Sequence, residues 1–213
     1  MLISFEHKFI FFKTFKTAST STDVYFEQFC ADDITEERHR METITEKGIV
    51  GARQFKKIVR EEDITYFNHL PAIKIKNKIG EDIFNSYYKF CNVRNPFDLL
   101  VSNYFYYRKH KDSSFDDFIK NTEYIEEIKL RDSLRYKIEG KIILDDFIRY
   151  ENIKEDIDRI SDLLKLPKSK RELGHYVKSK RRTSNEFMSY YNNETEEIVR
   201  NSFKEYFEHF GYQ

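Results

Sequence analysis

Two segments of this sequence carry the residue types that hold an anionic group. The first is Phe12-Lys13-Thr14-Phe15-Lys16-Thr17-Ala18-Ser19-Thr20-Ser21, which links an apolar run to a polar stretch with helical character. Backbone N–H groups at the start of a helix, with the helix dipole behind them, favour an anion. Lys16 adds a mobile point charge, and Thr17, Ser19, Thr20 and Ser21 add short hydroxyl donors. With Ala18 as the small residue between them, these are the parts of a phosphate cradle. The loop holds no glycine, so it is not G-x-x-x-x-G-K-[ST]. An ordinary Ser/Thr-rich helix cap is the other use of the same residues.

The second segment is Val93-Arg94-Asn95-Pro96-Phe97-Asp98-Leu99-Leu100-Val101-Ser102. Arg94 ends an apolar run, and Ser102 lies about two turns into the stretch that follows. A sharp turn at Asn95-Pro96 would bring them together, and an arginine fork beside a hydroxyl makes a phosphate clamp. The same residues also admit Arg94 paired with Asp98 and Ser102 packed on a helix face.

Both loops need a scaffold, and the periodicities supply one. Residues 7–12 and 88–93 (YKFCNV) read as buried strands, and residues 142–150 contain another. Residues 20–30 read as a helix with Thr20 or Ser21 as N-cap. Residues 71–79 read as a helix with Pro71 in its first turn and Gly80 at its end. Pro96 starts a helix running to about residue 108, with Phe97, Leu100, Val101, Tyr104 and Phe105 on one face. Residues 153–166 are amphipathic, with Ile153, Ile157, Ile160, Leu163 and Leu164 inward, and residues 194–210 form a last helix closed by Gly211. Residues 34–60 are charged and read as partly helical. Strand–loop–helix units repeated in this way imply an α/β fold with a central, mainly parallel sheet. Ligands of such sheets bind beyond the C-terminal strand ends, which selects the same two loops.

The 213 residues read as one domain, 1–213. Hydrophobic residues make up 39% and charged residues 35%, and the 35 Phe and Tyr (20 and 15) argue against disorder. No apolar run exceeds four residues, far short of the ~20 needed for a membrane span. Lys+Arg and Asp+Glu are 37 each, so the formal charge is zero and duplex nucleic acid is disfavoured as a partner. Cys30 and Cys91 stand in apolar surroundings and in no C-x-x-C pair, which reads as two reduced core thiols. With no basic, apolar leader, a cytoplasmic location is expected.

Lys16-Thr17-Ala18-Ser19-Thr20-Ser21 resembles the 5′-phosphosulfate loop of the sulfotransferases, above all the uronyl and heparan sulfate 2-O-sulfotransferase type with its K-T-A-S-T-S string. Arg94-Asn95-Pro96-Phe97-Asp98 through Ser102 resembles that family's 3′-phosphate motif, R-N-P-x-D-x-x-x-S. Phe147-Ile148-Arg149-Tyr150-Glu151-Asn152 is similar to its R-[FY]-E-[ND] strand ending. The close on Phe210-Gly211-Tyr212 is similar to its F-G-Y terminus. The resemblance covers nearly the whole chain, residues 34–65 excepted. It implies a P-loop-like three-layer α/β/α fold. It also implies sulfuryl transfer from 3′-phosphoadenosine 5′-phosphosulfate (PAPS) to an acceptor hydroxyl, here expected on a glycan, with no metal required.

By that resemblance Lys16 contacts the 5′-phosphosulfate, Thr17, Ala18, Ser19, Thr20 and Ser21 hold the same phosphate, and Arg94 and Ser102 take the 3′-phosphate. The acceptor needs a general base, and His69, in Asn68-His69-Leu70-Pro71-Ala72, is the candidate. Its ordinary pKa of ~6.5 suits the task. His7, His39, His110 and His209 rank behind it, and His175 comes second because it precedes a basic segment. That segment, 165–182, has eight Lys/Arg against Glu172 alone. Arg181-Arg182-Thr183-Ser184 is similar to a family segment that folds over the nucleotide. This places Arg182, Thr183 and Lys180 on its 3′-phosphate and adenine side. Two other classes use similar residues. A nucleotide or small-molecule kinase would prefer ATP, but the Walker glycines and a Walker B aspartate are missing. A non-catalytic glycan- or nucleotide-binding module of the same fold need not keep Lys16, His69, Arg94 and Ser102 together.

Overall fold

The computed structural model describes residues 1–32, 41–53, 64–106, 113–171, 173 and 186–213. Along the chain run β1 (Leu2–Ser4), β2 (Phe9–Phe12), α1 (Ser19–Phe26), β3 (Thr43–Ile44), β4 (Gly48–Val50), α2 (Ala72–Ile79), α3 (Glu81–Ser86), β5 (Tyr88–Val93), α4 (Pro96–Tyr106) and α5 (Phe115–Lys120). They are followed by α6 (Thr122–Tyr136), β6 (Lys137–Ile138), β7 (Lys141–Ile142), β8 (Asp146–Arg149), α7 (Ile153–Leu163), α8 (Asn193–Ser202) and α9 (Lys204–Phe210).

Six strands form one sheet in the order β3-β4-β1-β2-β5-β8. At its centre β2 pairs in parallel with β5, and β5 with β8, in the register Phe12↔Cys91 and Val93↔Arg149. The C-terminal ends of these three strands therefore share one edge. The β1, β4 and β3 side is antiparallel. Alternation along the pleat sends successive side chains to opposite faces. Phe9, Phe11 and Phe90 meet Phe26 of α1 and Ile157 and Ile160 of α7 on one side. Ile10, Phe12, Cys91 and Val93 meet Ala72 and Ile75 of α2, Phe84 of α3 and Phe210 of α9 on the other. The result is a three-layer α/β/α arrangement. Each fully buried Phe contributes ~2–3 kcal/mol of apolar transfer, so the layers hold through their aromatic faces. Beyond the sheet edge a third cluster joins Phe97, Leu100 and Val101 of α4 to α5, α6, α8 and α9.

The local readings hold for residues 88–93, for α2 with Gly80 (φ 84°) at its end, and for α4 as far as it is described. Cys30 and Cys91 are free and buried. Elsewhere the tertiary structure changes or narrows the local reading. Residues 43–44 and 48–50, within a stretch expected to be partly helical, are strands, because β4 completes the hydrogen bonding of β1 and β3 that of β4. Gly48 is needed there, since a Cβ would lie 2.1 Å from the Ile3 carbonyl oxygen. The strand within 142–150 is β8, and Ile142 belongs to the β6–β7 hairpin. The last helix breaks at Phe203, whose ring turns into the third cluster. Leu163 and Phe105, expected inward, are exposed at the ends of their helices.

Candidate active site

The loop between β2 and α1 is built by its own hydroxyls. Thr14 Oγ1 donates to the Asn92 carbonyl of β5 at 2.6 Å, so its single proton is in use. The 2.8 Å contact between Thr14 and Thr17 hydroxyls must then have Thr17 as donor. Ser19 Oγ donates to the Thr14 carbonyl at 2.6 Å. Thr17 and Ser19 therefore point inward and hold the loop's shape, rather than offering side-chain donors outward as the sequence suggests. Thr20 is exposed and Ser21 buried at the helix start. Neither caps the helix. The N-cap is Ala18, in the left-handed region (φ 58°, ψ 16°) with no side-chain cap bond. The inward turn of the hydroxyls forces this, because the chain must reverse hand at Ala18 to enter α1.

Lys16 is left-handed as well, at φ 59°. Left-handed residues bracketing an ordinary one are the backbone pattern that makes an anion-binding nest of N–H groups. Among the described residues nothing in the protein accepts the backbone N–H groups of Thr17, Ala18, Ser19 and Thr20. The loop thus presents four consecutive amide donors, with the α1 dipole behind them. Lys16 Nζ lies 3.6 Å over the Tyr106 ring of α4.

Lys13 does different work from Lys16. It is buried, with Nζ 2.9 Å from Asp23 Oδ2, and Arg53 Nε meets the same oxygen at 2.7 Å. Arg53 also pairs with Glu27, which pairs with Arg171. Burial alone would raise the Asp23 carboxyl, but Arg53 and then Lys13 reverse this and hold it below the usual carboxylate range. Burial pulls the Lys13 ammonium down from its ordinary value, against the attraction of Asp23. This buried network anchors α1 beneath the loop.

Arg94, one residue beyond β5, ties the second loop to the first. Its Nη1 donates to the Lys16 carbonyl at 2.8 Å. Nε and Nη2 lie 2.7 and 2.6 Å from Asp98 Oδ2, the pairing the sequence admits as its alternative. The fork still keeps one N–H on each terminal nitrogen. The guanidinium stands 3.9 Å over the Tyr150 ring, which follows β8. Ser102 lies one turn beyond Asp98 on the same stripe of α4, half-buried, and no described residue bonds its hydroxyl. All three parallel strands thus deliver their following residues to one place. The Arg149-Tyr150-Glu151 motif braces it: Arg149 Nη2 donates to the Phe210 carbonyl at 3.0 Å. Glu151 accepts from the Asn95 N–H at 2.9 Å and the Tyr212 hydroxyl at 2.8 Å.

His69 sits two residues before the α2 cap, at φ 59°. Its ring stacks on Phe15 with centroids 3.8 Å apart and planes 11° off parallel. Nδ1 lies 2.8 Å from the Lys13 carbonyl, which can only accept, so Nδ1 carries the proton. Nε2 is then the unprotonated nitrogen of the neutral ring. Burial, and next the Lys13 charge, lower this imidazole well below its ordinary pKa, which keeps it neutral. The imidazole is thus fastened to the loop that carries Lys16.

Other residues at the site carry no motif in the sequence. Asp132 of α6 accepts the Phe15 N–H at 2.9 Å, and the guanidinium groups of Arg131 and Arg135 lie 4.4 and 5.0 Å from the Phe15 ring centre. Burial raises Asp132 to about 6 and lowers Arg135 to about 10. Tyr206 of α9 accepts the Arg94 N–H at 3.2 Å. Tyr104 is core, donating to the Ser113 carbonyl, whereas Phe105 and Tyr106 are exposed. Lys180, Arg182, Thr183, His39, His110 and His175 lie outside the described residues. His7 packs on Phe29 and His209 on Phe210, away from the loops. Among the described residues no His/Cys/Asp/Glu group could hold a metal ion, and no helix is long and apolar enough to cross a membrane.

The model of the sulfotransferase family matches residues 1–213, the full chain. An uncharacterised protein of Archaeoglobus fulgidus is 35% identical over 104 residues, which is 46% of this chain and 84% of that protein. No solved structure matches.

Proposed function

The chain belongs to the sulfotransferase family, and from that premise we propose that it transfers a sulfuryl group from PAPS to an acceptor hydroxyl on a carbohydrate. The observation that carries this reading is the row of four unaccepted amides at Thr17–Thr20, flanked by Lys16 and tied by Arg94 to the second loop. Such a donor set suits a dianionic phosphate and its sulfuryl ester. Arg94 and Ser102 would take the 3′-phosphate, which distinguishes the donor from ordinary adenine nucleotides. Arg182 and Thr183 would add to that side.

The reaction is an in-line displacement, whose catalysis rests on positioning and electrostatics. His69 Nε2 takes the proton of the acceptor hydroxyl as the acceptor oxygen bonds to sulfur. Lys16 and the loop amides meet the charge that collects on the phosphate oxygen as its bond to sulfur breaks. The products are the sulfated acceptor and 3′-phosphoadenosine 5′-phosphate. The neutral ring supports the base assignment, since an imidazolium could not accept. The choice of a carbohydrate rests on the likeness of the two motifs to the 2-O type.

Calorimetric titration with 3′-phosphoadenosine 5′-phosphate, AMP and ATP tests the donor. Micromolar binding of the first, lost without its 3′-phosphate, is the expected result. A preference for ATP, or no binding, would overturn the reading.

A further inference from the structure

A cavity of about 240 Å³ lies behind the two loops, between α6, the β6–β7 hairpin and the C-terminal helices. Leu99, Ile128, Ile142, Phe203 and Phe210 give it an apolar wall, and polar side chains of α6, α8 and α9 line the rest. An apolar cavity of ~150 Å³ is enough to hold benzene, so this one has room for a substituted single ring.

Two polar groups on one face of α6, a turn apart, also line it: Asp132 and Tyr136, only 6% and 5% exposed. Asp132 Oδ1 holds the Phe15 N–H, but Oδ2 has no hydrogen-bond donor among the described residues. The Tyr136 hydroxyl has no hydrogen-bond partner among them either. Neither atom is sealed into the protein, since neither is among the side-chain atoms both fully buried and unpartnered. A phenol and a carboxylate oxygen, with no hydrogen-bond partner among the described residues, thus open side by side onto one pocket, where a ligand hydroxyl can pair with both. At the rim stand Lys137 and Glu205, paired at 2.6 Å.

We propose that this cavity is a second ligand site, for a small neutral molecule with a ring-sized apolar body and one hydroxyl. The hydroxyl donates to Asp132 Oδ2 and accepts from Tyr136, while the body lies against Leu99, Phe203 and Phe210. Occupancy is transmitted to both loops, because the wall residues hold them. Asp132 bonds the Phe15 N–H, and Tyr206, also in the wall, accepts the Arg94 N–H. The cavity adjoins the loops through these two residues, and the inference does not rest on the sulfotransferase reaction.

The test is an amide and tyrosine-ring NMR titration of the full chain with 4-propylphenol, and with its methyl ether as a probe that cannot donate. Saturable binding of the phenol is expected, with the Phe15 and Arg94 amides shifting in step with occupancy. In the native protein the ether, with no proton for Asp132, should bind about fivefold more weakly than the phenol, one hydrogen bond's worth, and Tyr136→Phe should weaken both by a similar factor, since either ligand oxygen accepts from the Tyr136 hydroxyl. Ser202→Trp, which fills the cavity from the end of α8, should abolish both. Shifts that do not saturate would overturn the proposal. So would saturable binding that ignores Ser202→Trp, or that leaves the Phe15 and Arg94 amides still. Should Ser202→Trp not fold, the hydrogen bonds decide alone: a phenol and an ether of equal affinity, or a Tyr136→Phe variant that binds the phenol unchanged, refutes the pose.

Discussion

Asp132 allows a stability prediction that depends on its burial and on nothing catalytic. Its carboxyl is raised from 3.8 to about 6, first by burial, against the pull of Arg131, the Phe15 N–H and Arg135. A raised carboxyl means that the native state binds the proton more tightly than the unfolded chain. Between about pH 4 and pH 6 the native protein therefore carries the extra proton, and stability falls as pH rises through that window. At ~1.4 kcal/mol per pH unit, the gap between 3.8 and about 6 corresponds to ~3 kcal/mol lost by pH 7. Asp132→Asn keeps the shape and an oxygen for the Phe15 N–H, and removes the ionisation. The variant should match the native protein near pH 4 and exceed it by ~2–3 kcal/mol at pH 8, as read by urea unfolding at several pH values. Taking the difference between the two proteins cancels every other titrating group. A difference that does not change with pH would refute the reasoning. So would an Asn variant that loses stability towards pH 8, because Arg131 and Arg135 would then need the charge more than burial penalises it.

The two lysines of the first loop should separate cleanly. Lys13→Met leaves buried Asp23 with Arg53 and the Met1 amino group and should cost about 2–3 kcal/mol of stability in denaturant unfolding. Lys16→Met should cost less than ~1 kcal/mol, the worth of a cation–π contact, but lower turnover ~10²-fold or more in a sulfuryl-transfer assay. With His69 held well below its ordinary pKa of 6.5, kcat/KM should be flat from pH 8 down to that value, with any acid limb lying below it. The profile is best taken in the Asp132→Asn background, and an acid limb at or above 6.5 would remove His69 as the base. Gly48→Ala should prevent β4 from pairing with β1, since the added carbon would sit 2.1 Å from the Ile3 carbonyl oxygen. A variant with native circular dichroism and unchanged Tm would contradict that packing.

Much of the two-loop arrangement was legible in the sequence because its determinants are local. An apolar run, a hydroxyl-rich loop and a helix-forming stretch specify a strand, a turn and a helix start by short-range sterics and periodicity alone. The break at Arg94-Asn95-Pro96 is written in the same way, and two such units in sequence already implied parallel strands with both loops at one edge. Residues 43–50 escaped that reading. β4 forms against the open side of β1 and β3 against β4, and an open strand side is a property of the sheet and not of the segment.

What only the tertiary structure decided is how each side chain is used. Thr17 and Ser19 look like outward donors until the β5 carbonyl of Asn92 claims the Thr14 proton and sets the direction of the rest. Lys13 and Lys16, three residues apart, differ because Asp23 and Arg53 surround only the first. His69 is one histidine among six by sequence; the Lys13 carbonyl selects its tautomer and Phe15 its orientation. Asp132 and Tyr206 reach the loops from 117 and 112 residues away along the chain. Separations of that size are closed by the order of strands and the packing of helices, and no local pattern encodes them.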